Sequence, residues 1–127
     1  MSTLQVLVID DDVMTHDLIE IALKAIGIES HFATHADVGI QLAIDKQPNL
    51  ILMDLLLPKS VKGWDVIAHI KGESALSHIP VVAFTAGTGH YIKQALEAGA
   101  EGFITKPFTI REFQKSIQHY LKIPYSR

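Results

Sequence analysis

Residues 48–58, Pro-Asn-Leu-Ile-Leu-Met-Asp-Leu-Leu-Leu-Pro, constrain this chain most, because the run Leu50–Met53 between a Pro-Asn turn signal and a proline has no polar face. A run that short and that uniformly apolar reads as a strand buried on both faces, as in a parallel sheet covered by helices. Asp54 follows it directly. Open parallel sheets bind ligands outside the carboxyl ends of their strands. Asp54 is therefore a candidate reactive group, although aspartate also serves as an ordinary turn residue.

The rest of the chain repeats strand and helix in alternation. Residues 4–9 read as a strand ending in Asp10-Asp11-Asp12, followed by a helix whose Met14, Leu18, Ile21, Ala22 and Ala25 recur at helical spacing until Gly27. A weaker strand at 28–33 precedes a helix at 37–46 with Val38, Leu42 and Ala43 inward. Beyond the central strand come a helix at 63–70, a strand at 79–84, a helix at 91–98 closed by Gly99, and a strand at 102–105. Thr109 caps a final helix carrying Ile110, Phe113, Ile117, Tyr120 and Leu121 as one apolar stripe. Such alternation predicts one α/β domain over 1–127, with its core at 4–121: a doubly wound, five-stranded parallel sheet joined by right-handed crossovers.

Composition narrows the setting. At 127 residues and 48% hydrophobic, the chain is long enough to bury a core without staples. Without cysteine it has no disulfides and no thiol chemistry, which suits the cytoplasm. It has no long apolar segment for a membrane, and a net charge of −3 without a basic block gives no footprint for nucleic acid.

Four predicted strand ends carry chemistry: Asp10 and Asp11, Asp54, Thr85, and Lys106 in Thr-Lys-Pro-Phe. Three carboxylates brought together repel, and a hard divalent cation with oxygen ligands, Mg²⁺ above all, relieves this. A carboxylate beside Mg²⁺, a lysine and a threonine suits phosphoryl transfer, with Asp54 as nucleophile forming an aspartyl-phosphate. Asp12 is read as a helix cap.

The motifs Val-Leu-Val-Ile-Asp10-Asp11, Leu-Ile-Leu-Met-Asp54-Leu-Leu-Leu-Pro58, Phe-Thr85-Ala86 and Phe103-Ile-Thr-Lys106-Pro107-Phe108 together resemble the receiver domain of bacterial two-component response regulators, nearly end to end. The resemblance is to a stand-alone, chemotaxis-regulator-like receiver and implies a flavodoxin-like strand order 2-1-3-4-5. It implies that Asp54 takes a phosphoryl group from a phosphohistidine on a sensor kinase or a histidine phosphotransfer protein. It also implies Mg²⁺ on Asp11, Asp54 and the Leu56 backbone carbonyl, with Asp10 acting through a water. Thr85 and Lys106 would grip the phosphoryl oxygens, Phe103 would change rotamer, and Lys106-Pro107 would be cis. The switched surface, over residues 89–121, would signal to a protein target or a second copy, without turnover of an external substrate. Two loops depart from the family pattern: Asp54 to Gly63 is one residue longer than in many members, and Thr85 to Lys106 is slightly short.

Other readings share parts of this pattern. A flavodoxin-like electron carrier needs a phosphate-cradling first loop, and this one is acidic. An aspartyl-phosphate phosphatase wants a second carboxylate close after the nucleophile, where Leu55 and Leu56 stand. A pseudo-receiver would keep the fold as a binding module and never take a phosphate. The seven histidines are scattered and read as surface or structural, and Trp64 as helix packing.

Overall fold

The computed structural model describes residues 3–86 and 89–123. Residues 1–2, Gly87 and Thr88 in the loop after Thr85, and the segment 124–127 lie outside the described residues. Strands β1 (Gln5–Ile9), β2 (Glu29–Ala33), β3 (Leu50–Met53), β6 (Val81–Thr85) and β7 (Gly102–Thr105) form one parallel sheet in the order β2-β1-β3-β6-β7. Counted within the sheet this is 2-1-3-4-5, as expected. The central strands Leu50–Met53 and Val81–Thr85 are buried throughout, because helices cover both faces.

Helices α1 (Val13–Lys24) and α5 (Ile110–Leu121) pack on one face over Val8, Leu52, Phe84 and Ile104. Helices α2 (Ala36–Lys46), α3 (Gly63–Gly72) and α4 (Gly89–Glu97) cover the other over Leu7, Ile51 and Val81. Asp12 caps α1 as expected, its carboxylate accepting the Met14 N–H at 3.2 Å. Thr109 and Glu112 close a capping box on α5.

Three expected inward faces need correction. On α1 the core side chains are Ile19, Ala22 and Leu23, whereas Met14 is 85% and Ile21 62% exposed, and Leu18 also faces out. The helix carries two apolar stripes and only one can meet the sheet. On α2 Val38 faces solvent and Gly39 faces in, where a Cβ would stand 2.5 Å from Ile9 Cδ1. On α5 Phe113 and Ile117 are buried while Ile110 is partly exposed at the first turn.

The loop after Asp54 is ordered as an antiparallel ribbon that periodicity did not reveal. Strands β4 (Leu56–Leu57) and β5 (Val61–Lys62) pair Leu56 with Lys62 and Leu57 with Val61. Their turn, Pro58–Ser60, closes with the Val61 N–H donating to the Pro58 carbonyl, and both Lys59 (φ 61°) and Ser60 (φ 59°) are left-handed. Left-handed backbone strains an L-residue by about 1–2 kcal/mol, and glycine removes that strain while adding about 0.5–1 kcal/mol of chain entropy to the folding cost. Ser60→Gly is therefore expected to stabilise the protein by about 0.5–1 kcal/mol, seen as a raised urea midpoint with unchanged slope.

Candidate phosphoacceptor site

The site is assembled by extending strand pairing one residue past each strand. The Asp54 N–H donates to the Ile9 carbonyl, the Asp10 N–H to Ala33, and the Lys106 N–H to Thr85, at 2.9, 2.9 and 3.0 Å. The sheet therefore delivers Asp10, Asp54, Thr85 and Lys106 to one edge. Oxygens of Asp10, Asp11 and Asp54 all lie within 4.8 Å of one another. Asp10, Asp54 and Thr85 are buried, and Asp11 is exposed at the mouth.

Lys106 answers the carboxylates. Its ammonium pairs with Asp10 Oδ2, stands 3.7 Å from Asp54 Oδ2, and lies 4.6 Å over the ring of Phe84. The Lys106-Pro107 peptide is cis. The other Asp10 oxygen accepts the Asp12 N–H at 2.9 Å. Burial pushes the Asp54 carboxyl up to about 6; Lys106 pulls against that rise and the Asp10 charge adds to it.

Three residues with a part in this geometry were not singled out for it from sequence. Phe84 presents its face to the ammonium in a cation–π contact. His16, stacked on Phe32, donates from Nε2 to the Asp10 carbonyl at 2.9 Å. Gly63 lies so close that a Cβ would fall 2.1 Å from the Asp54 carbonyl oxygen, and its N–H donates to Leu55. Only the glycine left a signal, as a small residue opening an apolar helix.

Three carboxylates and one ammonium leave a formal charge of −2, which matches one divalent cation. Oxygens around an octahedral Mg²⁺ stand about 3 to 4.2 Å apart, given bonds of about 2.1 Å. A cluster within 4.8 Å reaches that geometry by a small closure, so this all-oxygen donor set fits Mg²⁺. Phe103, expected to turn inward, is 45% exposed, and its N–H donates to the Tyr120 hydroxyl at 3.2 Å. The remaining histidines do not join the site: His31 pairs with Gln5 and His35 with Thr34.

The sequence matches the response regulator receiver domain over residues 6–118. It is 34% identical over 119 residues to the DNA-binding dual master transcriptional regulator RpaA of Synechocystis, covering 93% of this chain but only 49% of RpaA. The chain thus spans about half of that relative. With the polar-differentiation response regulator DivK of Brucella anthropi it shares 33% identity, over 91% of this chain and 94% of DivK. The receiver domain of the sensor histidine kinase PA1611 from Pseudomonas aeruginosa, crystallised with a magnesium ion coordinated in its active site cleft, has the same fold. The TM-score is 0.82 at 24% identity, over 95% of this chain and 99% of that one.

Proposed function

This chain belongs to the response regulator receiver domain family, and from that premise we propose that Asp54 is its phosphoacceptor, charged from a phosphohistidine on a sensor histidine kinase or histidine phosphotransfer protein. The observation that carries this is the convergence of Asp10, Asp11 and Asp54 within 4.8 Å, with the Lys106 ammonium beside them. Burial favours the neutral form of the Asp54 carboxyl, and the Lys106 ammonium beside it works against that, keeping the carboxylate available as a nucleophile.

An Asp54 carboxylate oxygen attacks phosphorus, the donor's P–N bond breaks, and the imidazole leaves with the bonding pair, so that an acyl phosphate stands on Asp54. Lys106 and Thr85 hold its oxygens. Asp11, Asp54 and the Leu56 carbonyl would hold Mg²⁺, with Asp10 acting through a water, and the cation would neutralise charge on the phosphoryl group as it does in related transfers. The chain acts as a cytoplasmic signalling module rather than an enzyme for an external substrate. Among the described residues no helix is long and apolar enough to cross a membrane.

The donor must cover the surface beside Asp54. There the outward stripe of α1, with Val13, Met14, Leu18 and Ile21 exposed, borders a groove of about 470 Å³ that Leu18 shares with Ala86, Pro107 and Phe108. An apolar helix of the donor fits such a face. On the output side, reversing a 1:99 equilibrium takes about 5.5 kcal/mol. Two charge-assisted contacts, at Thr85 and Lys106, supply most of it at roughly 1.5–3 kcal/mol each. Thr85 moves inward, Phe103 follows, and the face made by α4, β7 and α5 changes shape for a protein target or a second copy.

The experiment is incubation with a small acyl phosphate and Mg²⁺. The parent gains one phosphoryl group by intact mass, Asp54→Asn gains none, and amide shifts in the parent reach residues 89–121. An unmodified parent would favour the pseudo-receiver, and shifts confined to the neighbours of Asp54 would remove the switch.

The signal is expected to decay slowly. Hydrolysis needs a water in line with the acyl phosphate bond, and the Leu56 side chain, 44% exposed two residues past Asp54, has no group to orient one. Leu56→Asn should accelerate decay in excess Mg²⁺ about tenfold, or ~1.4 kcal/mol. A variant no faster than the parent would place control of the lifetime elsewhere.

A further inference from the structure

The assignment of the Leu56 backbone to Mg²⁺ is part of the reading above, and the inference here rests on it. Leu56 is held by a ribbon that has little to hold itself with: β4 and β5 are two residues each, and the turn between them is left-handed at Lys59 and Ser60. An isolated two-stranded ribbon is marginal at best in water. Its position has to come from what it is attached to.

Those attachments run to the core, where Leu57 is buried and Val61 packs, and to α4. Lys62, opposite Leu56 in the ribbon, is the N-cap of α3, and its ammonium lies 5.9 Å over the Trp64 ring. Trp64 in turn stacks on Tyr91 of α4, with centroids 5.5 Å apart and planes 20° from parallel. Between them Gly63 abuts the Asp54 carbonyl so closely that no side chain fits. A continuous line of contacts therefore joins Tyr91, Trp64, Lys62 and Leu56 to the acidic cluster.

We propose that Trp64 and Tyr91 are positioning residues for the metal site: their stack clamps the start of α3 against α4, and so fixes the ribbon that presents the Leu56 backbone to the cation. Neither ring touches the carboxylates, so their effect is on ligand orientation, as with supporting groups behind metal ligands. Because coupling is reciprocal, filling the metal site must also tighten the attachment of α4. This gives the acidic cluster a second route to the α4 surface, independent of Thr85 and Phe103.

The test titrates MgCl₂ into the full chain, its Tyr91→Ala variant and its Tyr91→Phe variant, reading affinity by calorimetry and the single indole N–H by NMR. Tyr91→Ala is expected to bind Mg²⁺ about tenfold more weakly, and Tyr91→Phe, which keeps the ring, to bind like the parent. In the parent the Trp64 indole N–H should shift with the same midpoint as the amides of Asp11 and Leu56. A stationary indole while those amides titrate, or unchanged affinity in Tyr91→Ala, overturns the positioning role and leaves the metal reading intact. If no amide titrates, the metal reading fails and takes this inference with it. Should Tyr91→Ala not fold, the parent's indole response alone decides.

Discussion

Lys106→Met is expected to destabilise the metal-free protein by about 3 kcal/mol at pH 7 and to bind Mg²⁺ about tenfold more tightly than the parent. The Lys106 ammonium pairs with Asp10, whose side chain is wholly buried, while only 17% of the lysine side chain is exposed. Removing one member of a buried pair leaves the other charge uncompensated, which costs about 3–5 kcal/mol, and the lower figure applies here because solvent reaches the lysine. The same ammonium stands 3.7 Å from Asp54, so it competes with any cation for both carboxylates. Without it the cluster is more negative, and a divalent cation gains what the folded apoprotein loses. Methionine keeps an unbranched stem without the ammonium that lies over Phe84, so the change isolates charge. Urea melts in chelator and calorimetric Mg²⁺ titrations measure the two halves. Equal or weaker Mg²⁺ binding would mean that lysine and metal do not share ligands.

Asp54→Asn is expected to act in the opposite sense, stabilising the metal-free protein at pH 7 by about 1–2 kcal/mol. Burial raises the Asp54 carboxyl from 3.8 to about 6, so the folded state holds this proton more tightly than the unfolded chain does. The stability so gained is complete below about pH 3.8 and is lost as pH rises through about 6. At pH 7 the parent has forfeited it, whereas asparagine is neutral throughout. A shift of roughly two pH units corresponds to almost 3 kcal/mol, reduced because part of the carboxylate meets water and because the variant gives up the attraction to Lys106. The gap between variant and parent should therefore close as pH falls from 6 to 4. Saturating Mg²⁺ at pH 7 should close it too, by stabilising the parent. A gap independent of pH would show that the Asp54 charge is not what the fold resists.

Both effects come from residues that stood out in the sequence, and the reason is local. Leu50–Met53 and Gly102–Thr105 were legible to the residue, because turn-forming residues bound both runs and the first is apolar throughout. The reactive residues follow from the strands, since each is the last residue of one or lies one or two residues beyond it. Orientation on α1 was not legible. Met14, Leu18 and Ile21 recur at the same helical spacing as Ile19, Ala22 and Leu23, about 100° around the helix, and only the crossover from β1 decides which stripe meets the sheet. The β4–β5 ribbon was hidden for a different reason. Its turn uses Lys59 and Ser60 where the conformation favours glycine or asparagine, so the usual hairpin signal is missing. Phe84 under Lys106, His16 on the Asp10 carbonyl and Trp64 on Tyr91 join separate elements, and no pattern along the chain encodes such contacts.

The central claim is that the Asp54 carboxylate itself carries the phosphoryl group. The most direct measurement treats the acyl phosphate-labelled protein with borohydride, which reduces an aspartyl-phosphate to homoserine, and maps the product by peptide sequencing. Homoserine is expected at position 54 and at no other aspartate, with none in protein treated without Mg²⁺. Homoserine at position 10, 11 or 12, or a labelled protein in which residue 54 remains aspartate, would contradict it.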